Sequence, residues 1–196
     1  MLSFIRSKLP ASDLHNGWQS LFEVETEDKE RYLLRFADTR VLPTLAGMEK
    51  IWKRLAADAT AWWTIGRDGQ LLDLALPTLP ERNEDLLQID NDCLAELLRA
   101  GEVDAMADYM AGYFSELLAV RDGYANYEIL EQTLTLCSEQ SVFGTTDQYA
   151  LGVAALFTDG QLLAVPETSN WLSEKAWGEK SFEDALAEFM ENKGFS

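Results

Sequence analysis

The sequence has few of the side chains on which most catalytic and metal sites depend. It contains 1 histidine and 2 cysteines in 196 residues, and Cys93 and Cys137 stand far apart without a CxxC spacing. A disulfide framework or a zinc site needs more numerous or more closely spaced ligands. His15 has no cysteine or second histidine near it in the sequence, which favours an ordinary loop residue over a catalyst. We therefore expect no metal and no cofactor.

Long apolar runs and phosphate-binding loops are also missing. No segment approaches the roughly 20 apolar residues of a membrane span, and the start MLSFIRSKLP has too short an apolar run for a signal peptide. The sequence contains no glycine-rich phosphate loop and no GxSxG nucleophile motif. These absences predict a cytoplasmic protein without membrane insertion.

Basic residues are scarce in the second part of the chain. Residues 1–80 hold 10 Lys and Arg against 11 Asp and Glu, whereas residues 81–196 hold 6 against 23, which gives them −17 of the total charge of −18. Such a surface repels nucleic-acid phosphates and attracts a basic partner, although solubility alone also accounts for acidic helix surfaces. Nucleic-acid binding is therefore not expected.

The hydrophobic pattern predicts an α+β protein with two lobes. In residues 1–80 it predicts a helix end at 2–9, a loop at 15–17, a hairpin of strands 21–25 and 31–36, helices over 41–47 and 48–57, and a second hairpin of strands 60–66 and 70–76. The stretch from Pro77 to Pro80 is the predicted boundary. The expected first lobe, 1–80, is a small antiparallel sheet with two helices, and the second, 81–196, is an acidic helical bundle.

Helical periodicity dominates the predicted second lobe. We expect helices over 90–100, ended by Gly101, and over 102–119, 124–143 and 145–157, and then an extended segment at 161–166. Thr145 and Gln148 have the spacing of a capping box, and Ser181 is the predicted cap of a final amphipathic helix.

Four tryptophans are the candidate partner-binding residues. Trp62 and Trp63 are adjacent in a predicted strand, so they point to opposite faces, and the one outside the core needs either a covering layer or a partner. Trp171 and Trp177 fall in a predicted loop, where they are either lids over the bundle or an exposed hot spot.

A strand-to-helix corner lies in the stretch RYLLRFADTRVLPTL, residues 31–45. Asp38 stands at the corner, where its carboxylate can accept hydrogen bonds from free amides at the helix start and pair with Arg35 and Arg40. No base, nucleophile or metal-ligand set is close in sequence. A structural ion pair is therefore favoured over a recognition site, and a recognition site over catalysis.

The same residues resemble the signature of a known family. LLRFADTRVLPTL is similar to the FRFYDPRVL-type signature of the effector adaptor and chaperone family of bacterial type VI secretion, which is catalogued as a domain of unknown function; Ala37 and Thr39 stand where the family has an aromatic residue and proline. Residues 4–7 correspond to the family's His-Leu-Arg-Arg helix end, and the resemblance extends to the helical tail. It implies that the family's N-terminal part is missing here.

The resemblance implies a non-enzymatic function. Such an adaptor binds a toxic effector in the bacterial cytoplasm and helps load it onto the valine-glycine repeat spike protein (VgrG). Two other classes stay open: an acidic immunity-type protein that binds and inhibits a toxin, and a hydrolytic enzyme, for which the sequence gives the weakest support.

Overall fold

The computed structural model describes residues 2–83 and 85–195, and the chain divides into two compact units, Met1–Gly101 and Glu102–Ser196. Both sheets lie in the first unit, and the second is helical. The predicted α+β class is confirmed. The units divide later than the Pro77–Pro80 stretch because Leu87 and Ile89, which follow it, are buried in the core of the first unit.

The first unit contains two three-stranded sheets. Its elements are β1 (Ser3–Ser7), α1 (Ala11–Trp18), β2 (Glu23–Glu25), β3 (Arg31–Leu33), α2 (Leu42–Gly47), α3 (Glu49–Leu55), β4 (Ala59–Ile65), β5 (Leu71–Asp73) and β6 (Leu87–Gln88). The first sheet has the antiparallel order β1-β4-β5, and the second has the order β3-β2-β6, in which β2 and β6 are parallel. Both predicted hairpins are confirmed, as β2–β3 and β4–β5.

Two predictions for the N-terminal residues are wrong. Residues 3–7 form strand β1 rather than the end of a helix, and they pair with β4 so that Ile5 lies opposite Trp62. Residues 15–17 lie inside α1 rather than in a loop. A short apolar run does not distinguish a strand from a helix, and the pairing with β4, which is distant in sequence, decides in favour of the strand.

Aromatic and aliphatic side chains fill the core of the first unit. Trp62 projects from β4 and packs against Trp18 and Trp52, with ring centroids 5.8 and 5.0 Å away. The indole nitrogen of Trp52 donates to the carbonyl of Ala75 at 2.7 Å. Helices α2 and α3 also contribute side chains that are less than 2% exposed: Leu42, Leu45, Ile51 and Leu55. The sheets and helices are thus held by one apolar cluster.

Helix α4 (Asn91–Tyr113) passes through the position at which the units divide. The prediction that a helix ends at Gly101 is therefore wrong. A single glycine costs a helix only about 1 kcal/mol relative to alanine, and tertiary packing readily offsets this. Leu94 and Leu97 pack against the core of the first unit. Met106 and Met110, further along the helix, are fully buried in a core of the second unit.

The second unit continues with α5 (Ser115–Leu118), α6 (Gly123–Glu139), α7 (Thr145–Phe157), α8 (Gln161–Ala164), α9 (Pro166–Ser173) and α10 (Phe182–Lys193). The predicted cap of the final helix is confirmed, because Ser181 Oγ accepts a hydrogen bond from the amide of Asp184 at 3.1 Å. The capping box at Thr145 is wrong, since α7 has Gly144 at its N-cap and no capping side chain. The extended segment predicted at 161–166 is instead α8 and the start of α9.

Helix α7 is central to the second unit, as its apolar composition indicates. Leu151, Ala155 and Leu156 are fully buried, and they belong to two hydrophobic clusters. Gly152 allows close packing, since a Cβ at this position would lie 3.0 Å from Met106 Sδ and 3.2 Å from Met110 Cε. Among the described helices, none is both long and apolar enough to cross a membrane.

Candidate partner-binding surface

The corner between β3 and α2 is held by a bidentate ion pair. Arg40 Nη2 donates to Asp38 Oδ2 at 2.7 Å, Arg40 Nε donates to Oδ1 at 3.0 Å, and the amide of Arg40 donates to Oδ1 at 3.0 Å. These bonds hold the pKa of Asp38 at about 2, with a smaller contribution from the charge of the exposed Arg35. The carboxylate thus fixes the turn itself, whereas the N-cap of α2 is Val41.

We expect this ion pair to stabilise the first unit in a pH-dependent way. A carboxyl whose pKa is lowered from 3.8 to about 2 contributes stability above pH 4 and loses it as the pH falls from 4 towards 2. Asp38→Asn should therefore lower the free energy of unfolding by about 1–2 kcal/mol near pH 7 and by much less at pH 2. Chemical denaturation of both proteins between pH 2 and 7 measures this difference.

The matched control for Asp38 is Asp28, which is exposed in the loop between β2 and β3. Asp28→Asn removes the same charge without removing a bidentate partner, so its effect should be small and should not follow the titration of Asp38. If Asp38→Asn lowers the free energy of unfolding by the same amount at pH 2 and at pH 7, the ion pair is not the source of the lost stability.

Thr39 lies between the two partners of the ion pair in this corner. The residue is buried, and its hydroxyl oxygen has no hydrogen-bond partner among the described residues. A buried hydroxyl without a partner costs free energy. Thr39 therefore adds one unsatisfied polar group next to the Asp38–Arg40 pair.

Trp62 is not a surface residue, which corrects its assignment as a candidate partner contact. Only 2% of it is exposed, and its indole nitrogen donates to Ser3 Oγ at 2.7 Å. The side chain lies between the helices and the first sheet, packed against two other tryptophans. In this structure it stabilises the core, so only Trp63 of the adjacent pair reaches solvent.

Trp63 lies on the opposite face of the first sheet, within a set of apolar side chains that we call the open face. The register places Phe4 beside Trp63 and Leu71 beside Ile65, while the amide of Ile65 donates to the carbonyl of Leu2. Phe4 is 49% exposed, Leu2 63% and Leu71 59%. The open face consists of Leu2, Phe4, Trp63, Ile65 and Leu71. None of these residues packs against the described cores.

Most of the open face is not predicted from the sequence. The alternation in β4 identifies Trp63, but the prediction of a helix end over residues 2–9 does not place Phe4 beside the indole. The available signal was the alternation of Phe4 and Arg6 with Ile5, which matches a strand. The Arg6 guanidinium lies 5.4 Å from the Trp63 ring centroid, which is within the range of a cation–π contact. The guanidinium covers only part of the indole.

Trp171 and Trp177 pack together in the second unit. Their ring centroids are 5.4 Å apart, and Trp171 also contacts Phe182 at 5.3 Å and Phe189 at 5.3 Å. Both indoles are half-buried against the core formed with α10. Trp171 lies in α9, where sequence analysis expected a loop. Their location resembles the predicted lids more closely than a projecting hot spot.

The described residues define an α+β protein whose candidate site is a surface. Among residues 2–83 and 85–195, no group of three or more His, Cys, Asp or Glu side chains is placed to hold a metal ion. Asp38 and Arg40 of the corner are held in an ion pair, and Leu2, Phe4 and Leu71 of the open face are exposed.

Residues 1–50 match the family model described as a domain of unknown function, DUF4123. This confirms the resemblance drawn from the strand-to-helix corner, and the family is associated with type VI secretion effector adaptors. The match spans 50 of the 196 residues and includes β1, the corner and α2. No curated protein and no solved structure matches the chain.

Proposed function

We propose that this protein is a non-enzymatic adaptor that binds a toxic effector and helps load it onto the VgrG spike of a bacterial type VI secretion system. The observation that carries the proposal is the family match over residues 1–50, since this segment contains both the signature corner and the β1 edge of the open face. The proposal assigns no catalytic step to the protein, and it places its action in the cytoplasm, before secretion.

The open face supports the proposal because it supplies an apolar contact surface. Exposed aromatic and aliphatic side chains grouped on one sheet face are typical of protein interfaces, where tryptophan and phenylalanine are enriched at the centre. Phe4 and Trp63 are paired across β1 and β4, so a partner can bury both rings together. We therefore expect effector binding to depend on these two residues.

The expected result is that Phe4→Ser combined with Trp63→Ser weakens effector capture by about tenfold or more. The measurement is affinity purification of the tagged protein from its native cells, with quantitative mass spectrometry of the bound proteins. Phe143→Ser is the matched control, because Phe143 is 74% exposed and lies in the second unit. Circular dichroism checks that the variants keep their secondary structure.

Three outcomes separate the candidate functions. Recovery of a large toxin together with VgrG by wild type and by Phe143→Ser, but not by the double variant, supports the adaptor. Recovery of the toxin without VgrG, with its activity blocked, overturns the adaptor and favours an immunity-type inhibitor. Equal recovery by all three proteins overturns the assignment of the open face.

An immunity-type inhibitor is the second candidate because of the charge of the second unit. Residues 102–196 contain 17 Asp and Glu against 4 Lys and Arg, a net charge of −13. A surface of this sign can occupy the basic cleft of a toxin and accelerate the encounter with it. Inhibition of a purified toxin's activity by the isolated protein at equimolar concentration distinguishes this function from loading.

A further inference from the structure

The acidic second unit uses its few cations internally. Arg121 pairs with Asp159, Lys180 pairs with Glu188 at 2.6 Å, and Lys193 pairs with Glu167 at 3.0 Å. The fourth cation, Lys175, donates to the carbonyl of Ser141 at 2.6 Å. Because 17 carboxylates share these 4 cations, most of the negative charge has no counter-charge within the unit. A partner that carries positive charge would supply it.

One concave site on this unit combines aromatic rings with a carboxylate. A cavity of about 270 Å³ is lined by Tyr109, Phe114, Tyr149 and Glu183, together with small residues of α7. The ring centroid of Tyr109 is 4.7 Å from that of Tyr149 and 6.2 Å from that of Phe114. Tyr109 is 39% exposed, so the cluster is open to solvent. We call this site the aromatic pocket.

The electrostatics of the aromatic pocket favour a cation over an anion. Thr145 and Thr146 line the pocket at the start of α7, so the positive end of this helix dipole lies at the pocket wall. The dipole end is equivalent to about half a positive charge. Glu183 at the wall carries one full negative charge, which outweighs the half charge of the dipole. The faces of tyrosine and phenylalanine rings are also negative, and they attract cations at close range.

We propose that the aromatic pocket is the docking site for a lysine or arginine side chain of a basic protein segment. The side chain inserts against the rings of Tyr109, Phe114 and Tyr149, its charge is balanced by Glu183, and neighbouring basic residues of the segment meet the remaining acidic surface. This inference uses only the second unit and does not depend on the family match. It holds for an effector, a spike protein or an inhibited toxin.

The test is binding of a defined peptide to the full-length protein in 0.15 M salt. The probe is a fluorescein-labelled 18-residue amphipathic helix of lysine and leucine, and the matching glutamate and leucine peptide is the negative probe. Tyr109→Leu combined with Tyr149→Leu should weaken binding of the basic peptide by about tenfold, since each exposed cation–π contact contributes about two- to fivefold. The corresponding double Phe variant keeps the ring faces and should bind like wild type.

A second pair of variants separates the pocket from the general acidic field. Glu183→Gln and Glu128→Gln remove the same charge from exposed positions of the second unit, but only Glu183 lines the pocket. We expect a loss of affinity for Glu183→Gln that is at least twice the loss for Glu128→Gln. Equal losses, or a double Leu variant that is folded by circular dichroism and binds like wild type, would overturn the proposal.

These outcomes are independent of the adaptor proposal. The peptide assay changes residues of the second unit, whereas the capture assay changes Phe4 and Trp63 in the first. A protein that loads its effector through the open face but binds the basic peptide without using the aromatic pocket would refute only the present inference. Pocket-dependent peptide binding without effector capture would refute only the adaptor.

Discussion

Trp62→Ala is expected to lower the free energy of unfolding by about 3–5 kcal/mol, a large part of the 5–15 kcal/mol that stabilises a typical domain. The indole is almost completely buried, it packs against Trp18 and Trp52, and its nitrogen donates to Ser3 Oγ. Alanine removes these contacts and leaves a cavity that the sheet and helices cannot fill without moving. Chemical denaturation, with hydrogen exchange of the β1 and β4 amides, measures the loss.

The matched control is the neighbouring residue, Trp63. Trp63→Ala removes the same side chain from the same strand, but the ring is half-buried on the open face and contacts the Arg6 guanidinium at 5.4 Å. We expect a loss of about 1 kcal/mol or less, because an exposed cation–π contact contributes about 0.5–1 kcal/mol. If the two substitutions destabilise the protein equally, Trp62 does not lie in the core with Trp63 on the surface.

Gly152→Val is expected to destabilise the second unit by about 2–3 kcal/mol through overpacking. A Cβ at this position already meets Met106 Sδ at 3.0 Å and Met110 Cε at 3.2 Å, and both methionines are fully buried. The two additional methyl groups of valine would have to enter occupied space. Denaturation curves and the exchange rates of amides in α6 and α7 should both report the change.

Gly152→Ala provides the control for this prediction. The atoms that meet the new methyl group are the flexible ends of methionine side chains, which can move by a few tenths of an ångström. Alanine also favours the helix by up to about 1 kcal/mol over glycine. We therefore expect the alanine variant to stay within about 1 kcal/mol of wild type. Valine and alanine variants of equal stability would show that the α7 contact is looser than the structure indicates.

The two units present different surfaces to a partner. The first carries exposed apolar side chains on one sheet face and a corner held by Asp38 and Arg40, and the second carries a strongly acidic surface with the aromatic pocket. Apolar contact area contributes affinity, whereas an acidic field increases the association rate and depends on salt. Salt dependence of capture would therefore report on the second unit, and substitution of the open face would report on the first.

Several local elements could be predicted from the sequence because each has a signal within a few residues. The hairpins follow from alternating apolar residues on either side of polar turns, and α2 follows from Pro43 in the first turn of a helix. Ser181 is predicted as a cap because it directly precedes an amphipathic segment and has an acidic residue three positions later. In the structure its hydroxyl accepts a hydrogen bond from the amide of Asp184. Pairing of Asp38 with Arg35 and Arg40 was likewise expected from the sequence, and in the structure Arg40 forms the ion pair.

The wrong predictions fall where distant contacts decide the conformation. Residues 3–7 form a strand because β4, more than fifty residues later in the chain, offers them an edge for pairing. Gly101 stays within a helix because apolar residues on both sides of it are packed in cores. Helix α7 begins after Gly144 at its N-cap, without a threonine cap or any other capping side chain. Local preferences of about 1 kcal/mol are overridden by such packing.

The sequence by itself determined that Trp62 and Trp63 lie on opposite faces of one strand, that the chain is an α+β protein with a family signature at residues 31–45, and that its second part is acidic. The periodicity of a strand, the order of residues and the count of charges require no tertiary contact. Only the tertiary structure decided which tryptophan is buried, that Phe4 joins the other on an open face, and that Tyr109 meets Tyr149 at a pocket, because each depends on residues brought together from distant parts of the chain.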